Sequence, residues 1–117
     1  MFTFGFYHSV WKELEGAQSG LRAVCKVHLD RLRRSEPGVR SIIRIEKITK
    51  KIIELKITWE KQEWRFLYFI GPNRVIYVVS FFSKKTRKTP LEEIRKAEGR
   101  MREIELDQAT VYFGSLQ

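Results

Sequence analysis

Cysteine is almost absent from this sequence, in which Cys25 is the only one among 117 residues. A single thiol excludes an internal disulfide and any cysteine-rich zinc site. No apolar run approaches the roughly 20 residues that a membrane-spanning helix needs. The first residues, MFTFGFYHS, also lack the basic segment and the small-residue cleavage site of a signal peptide. These absences predict a cytoplasmic protein.

Several familiar catalytic patterns are missing as well. The sequence contains no glycine-rich phosphate loop, no Gly-x-Ser-x-Gly motif and no pair of catalytic carboxylates. The two histidines, His8 and His28, have no Asp or Glu at ligand spacing, so we expect no metal. His28 falls on the apolar face of a predicted helix and is expected to be a core or boundary residue. We therefore expect a protein that works without a cofactor.

Acidic residues are scarce in the middle of the chain. The formal net charge is +9, from 23 Lys and Arg against 14 Asp and Glu. Residues 21–89 hold 18 of the cations and 6 of the acids, a net charge of +12, whereas residues 90–117 are net acidic. A basic region of this size favours nucleic acid or another acidic surface as the partner.

The densest cluster of cations lies in residues 84–88, which we call the basic segment. It contains Lys84, Lys85, Arg87 and Lys88 with no acid between them. Two interpretations are open: the segment is a solvated turn, or it binds phosphate. The second gains weight from the following residues, where Thr89, Pro90 and Glu92 predict the capped start of a helix, whose free N–H groups also attract anions.

The hydrophobic pattern predicts a single α+β domain over residues 1–117. The predicted order is β-α-α-β-β-β-α, with a possible last strand. Strands are predicted around Phe2–Phe6, Ile53–Trp59, Glu63–Ile70, Arg74–Phe82 and Thr110–Phe113, and helices over residues 9–17, 21–32 and from Pro90 onward. Ser9 is the predicted cap of the first helix.

Arg65 lies in the middle of a predicted strand, between Trp64 and Phe66. A buried arginine needs a partner, so one interpretation is an ion pair with Glu54 across the sheet. The other is a guanidinium on the open face, aimed at a phosphate. In that case Lys56, on the polar face of the preceding strand, would extend the same basic surface.

Three stretches resemble the RelE/HigB superfamily of toxins from type II toxin–antitoxin systems, and most of all its phage-derived HigB-like branch. They are Ile53-Glu54-Leu55-Lys56-Ile57, the aromatic strand Trp64-Arg65-Phe66-Leu67-Tyr68-Phe69, and Phe81-Phe82-Ser83-Lys84-Lys85-Thr86-Arg87-Lys88-Thr89-Pro90. The resemblance is dense from about residue 53 to 103. It implies a RelE-like fold: a compact twisted antiparallel sheet with two N-terminal helices packed on one side and a C-terminal helix.

The resemblance also implies a function. Such toxins are metal-independent endoribonucleases that cut mRNA, usually in the ribosomal decoding site, and a small antitoxin, here expected to be a helix-turn-helix protein, neutralises them. The implied catalytic residues are Arg65, Lys84, Lys85 and Lys88, and the expected RNA-binding residues are Lys50, Lys51, Lys56 and Arg87.

Two positions depart from the pattern of the family. Lys56 stands where the branch more often has arginine, and Tyr112 is the only candidate acid or base after the last helix. Two other functions stay open at this point. One is a toxin of the same fold that acts on another target such as DNA gyrase. The other is a nucleic-acid-binding module without catalysis, which the net charge alone would also support.

Overall fold

A computed structural model describes residues 1–34, 44–84 and 87–116. Within these ranges the chain forms three α-helices and six β-strands, an α+β fold as predicted. The strands are β1 (Thr3–Tyr7), β2 (Arg44–Lys47), β3 (Ile53–Trp59), β4 (Gln62–Gly71), β5 (Val75–Lys84) and β6 (Val111–Phe113). The helices are α1 (His8–Glu15), α2 (Ser19–Arg33) and α3 (Leu91–Glu105). None of the helices in the described ranges is long and apolar enough to cross a membrane.

The sheet is mixed, and the prediction of an antiparallel sheet is wrong in this respect. The strand order is β2-β3-β4-β5-β1-β6. β1 is inserted between β5 and β6 and runs parallel to β5, while the other described pairs are antiparallel. A parallel pair needs a long connection, and here everything from α1 to β4 lies between the two strands.

The two faces of β4 belong to two different hydrophobic clusters. Phe66 and Tyr68 lie in the larger cluster, to which α1 and α2 contribute Leu14 and Leu21. The alternate residues Leu67 and Phe69 lie in the smaller cluster, with Ala97 of α3. Because successive side chains of a strand point to opposite faces, α3 packs on the face opposite to α1 and α2.

A β-bulge in β5 attaches α3 to the sheet. Leu67 pairs with Ser80 but Tyr68 pairs with Val78, so Val79 is an extra residue. The backbone of such a residue leaves the ladder, and Arg100 of α3 donates to the Val79 carbonyl oxygen at 2.7 Å. The hydroxyl of Ser80 donates to Glu93 of α3, also at 2.7 Å.

The predicted helix caps are wrong. α1 begins at His8 after Tyr7, and α3 begins at Leu91 after Pro90, both without a side-chain cap hydrogen bond. The Ser9 hydroxyl is buried without a hydrogen-bond partner among the described residues. Pro90 therefore precedes the helix instead of opening it, and the Thr89 hydroxyl is committed elsewhere.

We expect Cys25 to resist thiol reagents in the folded protein. Its side chain is fully buried on α2, and burial raises the pKa of the thiol to about 12, whereas only the thiolate reacts. A maleimide at pH 8 should label the chain in urea but not in native buffer, as measured by mass spectrometry. Equal labelling rates in the two solutions would contradict the packing of α2 on the sheet.

Candidate functional site

A buried ion pair joins β3 and β4 on the face that α3 covers. Glu54 is 0% exposed and Arg65 is 2% exposed. The Arg65 Nε donates to Glu54 Oε1 at 3.0 Å, and Nη2 donates to Glu63 Oε2 at 2.7 Å. The remaining nitrogen, Nη1, donates to the Trp64 carbonyl oxygen at 3.4 Å. All three nitrogens of the guanidinium thus have partners inside the protein.

Of the two interpretations of Arg65, the structure contains the ion pair with Glu54. The alternative, a guanidinium on the open face, is wrong because Arg65 is 2% exposed, and the reason is the strand register. Lys56 pairs directly with Arg65, so Glu54 lies two residues away on the same face of β3. From there it reaches Arg65 diagonally, and the pair is excluded from water.

The same carboxylate holds Thr89, the residue that follows the basic segment. The Thr89 hydroxyl donates to Glu54 Oε2, while Glu54 Oε1 is occupied by Arg65. Glu54, Arg65, Thr89 and Glu63 form what we call the buried network. It joins the three stretches that carry the resemblance, one residue from each, together with Glu63 of β4. Sequence reasoning missed this role of Thr89 because the following Pro90 and Glu92 made it look like a helix cap.

The basic segment begins directly beside the buried network. Lys84 is the last residue of β5, and its backbone pairs with Glu63, the second acid bound by Arg65. Arg87 and Lys88 are exposed. The side chain of Lys84 and the whole of Lys85 lie outside the described residues. The backbone of Lys84 is therefore held by the sheet, and Thr89, the residue that follows Lys88, is held by Glu54.

Lys56 lies next to the buried network but at its solvent side. Its ammonium is 2.7 Å from the carboxylate of Glu46 in β2, which is itself 57% exposed. An exposed pair of this kind contributes little to stability, and an ammonium with one carboxylate partner has two further donors. The ammonium group of Lys56 can therefore also bind an anion from solution.

Lys50 and Lys51 lie far from the buried network. Lys51 forms an ion pair with Glu105, the last residue of α3, at 3.1 Å, and Lys50 is exposed beside it. The buried network lies at the other end of α3, which begins at Leu91 two residues after Thr89. A helix of 15 residues is about 22 Å long. The expected RNA-binding residues therefore form two groups at opposite ends of α3.

Tyr112 lies away from the buried network. It is in β6, separated from β4 by β1 and β5, and its ring centroid is 6.1 Å from that of Trp11 in α1. Tyr112 pairs with Phe6, which belongs to the larger cluster, so both side chains point to the face opposite α3. The structure does not bring Tyr112 to the basic segment. In the described ranges no group of His, Cys, Asp and Glu is arranged to hold a metal ion.

Comparison with known protein families gives a match. Residues 12–102 match the sequence model of a family described as phage-derived protein Gp49-like (DUF891), a family associated with RelE-like toxins. This range contains β3, β4, the basic segment and most of α3, and so the whole buried network. No match was found among curated proteins.

Proposed function

The chain belongs to the phage-derived Gp49-like protein family, and we propose on this basis that it is the toxin of a toxin–antitoxin pair. Its activity in this proposal is that of an mRNA endoribonuclease which cuts ribosome-bound message and so arrests translation and growth. The place of action is the cytoplasm. The partner in the resting state is an antitoxin, a small helix-turn-helix protein with an acidic segment that covers the basic region of the toxin.

One observation carries the proposal. Lys88, at the end of the basic segment, is joined directly to Thr89, whose hydroxyl binds the buried Glu54, which in turn binds Arg65. Cations held in place before the substrate arrives stabilise developing charge without a cost of reorganisation during the reaction. A solvated turn needs no such anchor. This anchor and the exposed cations Arg87 and Lys88 together favour a surface built for phosphate.

The proposed reaction is an internal transfer that uses no metal. The 2′-hydroxyl of the RNA attacks the adjacent phosphorus, the bond to the next 5′-oxygen breaks, and the products are a 2′,3′-cyclic phosphate and a 5′-hydroxyl. The proton leaves the 2′-oxygen and another is delivered to the 5′-oxygen. Lys84, Lys85 and Lys88 supply positive charge to the phosphorane. Lys56 and Arg87 bind the flanking phosphates.

The burial of Arg65 gives it a different role from the one that the resemblance implies. Its three nitrogens are engaged, so in this proposal Arg65 is a positioning residue that holds Glu54 and, through it, Thr89. The same observation favours a second candidate, a nucleic-acid-binding protein without catalysis, because a site whose arginine faces inward has one donor fewer for the transition state.

Expression of the chain without a partner tests the proposal. We expect induction in bacteria to arrest growth and shorten mRNA, with new ends that carry a 5′-hydroxyl. Purified protein should produce the same ends on message bound to ribosomes. Normal growth and intact message from a soluble, folded product would contradict the toxin. RNA that is bound but never cut would identify the second candidate.

A further inference from the structure

A cleft of about 760 Å³ opens at the C-terminal end of α3. It lies between the end of the β4–β5 hairpin and the residues that precede β3. Its lining has an apolar part with Phe69, Tyr77 and Ile104, which we call the apolar wall, and a charged part with Lys50, Lys51 and Glu105, which we call the charged wall. The volume is in the range of small-ligand sites. None of these residues belongs to the buried network or to the basic segment.

The aromatic part of the apolar wall is the half-buried ring of Tyr77, which is supported from within by the buried ring of Phe69. The rings of Phe69 and Tyr77 are stacked with their centroids 5.1 Å apart and their planes 21° from parallel. The Tyr77 ring also lies over Gly71, where a Cβ atom would come within 2.5 Å of it. Only glycine leaves this space, so the ring is held against the backbone and the wall is formed before any ligand arrives.

The charged wall has an excess of positive charge. Lys51 is paired with Glu105, and both are substantially exposed, at 57% and 42%. Lys50 is exposed, and no acidic partner is found for it within the described residues. Each ammonium carries three donors, so the pair with Glu105 leaves Lys51 two. Both ammonium groups therefore have donors left for an anion in the cleft.

We propose that this cleft binds a nucleotide, with the base against the half-buried ring of Tyr77 and the phosphate at Lys50 and Lys51. A flat aromatic ring and a negative charge in one ligand match the two walls, whereas an uncharged apolar ligand leaves the lysines unused and a simple anion leaves the aromatic ring bare. The nucleotide is either free in solution or one unit of an RNA chain. The inference stands apart from the proposed cleavage reaction, which lies at the other end of α3.

The test compares ligands and variants by nuclear magnetic resonance, with the isoleucine methyl groups labelled. We expect adenosine 5′-monophosphate to shift the Ile104 signal and to bind at least about tenfold more tightly than adenosine or ribose 5-phosphate, because each fragment reaches only one wall. Lys50→Gln and Lys51→Gln should each weaken binding of the nucleotide by about tenfold and leave the affinity for adenosine unchanged. Lys26→Gln, an exposed lysine of α2, is the matched control.

The variant Glu105→Gln should bind the nucleotide more tightly than the parent protein does. It removes the one acid at the cleft mouth and releases Lys51, so we expect severalfold tighter binding of the nucleotide. The change should not harm the fold, since an acid at a helix C-terminus is unfavourable. Ribose 5-phosphate bound as tightly as the nucleotide would overturn the proposal, as would lysine variants no weaker than Lys26→Gln.

A short oligoadenylate separates the two sources of the ligand. Tighter binding of the oligomer than of the monomer supports an RNA strand that reaches the cleft, and tighter binding of the monomer supports a free nucleotide. Ligand binding and mRNA cutting are measured separately. A protein that cuts mRNA but binds no nucleotide at Ile104 overturns this inference and leaves the proposed function intact.

Discussion

Arg65→Ala is expected to lower the free energy of unfolding by about 3–5 kcal/mol. The change leaves the Glu54 carboxylate, which is 0% exposed, without the guanidinium that neutralises it. A buried charge that loses its partner is among the most destabilising changes in a core. Urea denaturation followed by circular dichroism measures the effect. A loss below about 1 kcal/mol would show that the network does not hold β3 and β4 together.

Two control variants separate the lost partner from the lost side chain. Lys56 lies directly opposite Arg65 in the sheet and pairs with the exposed Glu46. Lys56→Ala removes this cation and should lower the free energy of unfolding by no more than about 1 kcal/mol. The double variant Glu54→Leu, Arg65→Met removes both buried charges and should recover most of the stability, because apolar residues often replace a buried pair without loss. Glu63 is 40% exposed and can be solvated when Arg65 is gone.

This expectation affects how growth assays on Arg65 are interpreted. Loss of toxicity in Arg65→Ala would follow from unfolding alone and would not identify a phosphate contact. Arg65→Lys is more informative, since an ammonium can keep the pair with Glu54 but not the second bond to Glu63. The direct test of catalysis therefore has to use exposed residues of the basic segment.

Much of the fold was predictable because it depends on local patterns. The alternation of apolar and polar residues predicted β3 as Ile53–Trp59, the range that the structure has, and β4 and β5 to within one or two residues at most ends. The short strand β2 was missed, since Ile45 is the one apolar residue among its four and the other three are charged. The parallel pairing of β1 with β5 was also missed, because alternation reports which face is buried and not the direction of the neighbouring strand.

The site was only partly predictable for a related reason. The sequence singled out Arg65 and raised Glu54 as its possible partner, since a charged residue within an aromatic strand needs one. It gave no sign that Thr89, which is 35 residues from Glu54, binds the other oxygen of the same carboxylate. A threonine before Pro90 and Glu92 fits a capping motif equally well, and only the packing of α3 decides between the two partners.

Lys88→Gln is expected to slow mRNA cutting by about 10²- to 10³-fold while changing stability by less than about 0.5 kcal/mol. Lys88 is exposed but directly precedes Thr89, whose hydroxyl is bound to the buried Glu54, so the backbone that carries the lysine is fixed. A second expectation concerns the hydroxyl of Thr89. Thr89→Val keeps the shape and removes the hydroxyl, which releases the segment from its anchor and should also slow cutting. The measurements are single-turnover cleavage of ribosome-bound message and thermal unfolding, with Lys26→Gln and Thr110→Val, both exposed, as matched controls. A folded Thr89→Val protein that cuts as fast as the parent would show that the anchor serves stability alone, and an unaffected Lys88→Gln would remove this lysine from the reaction.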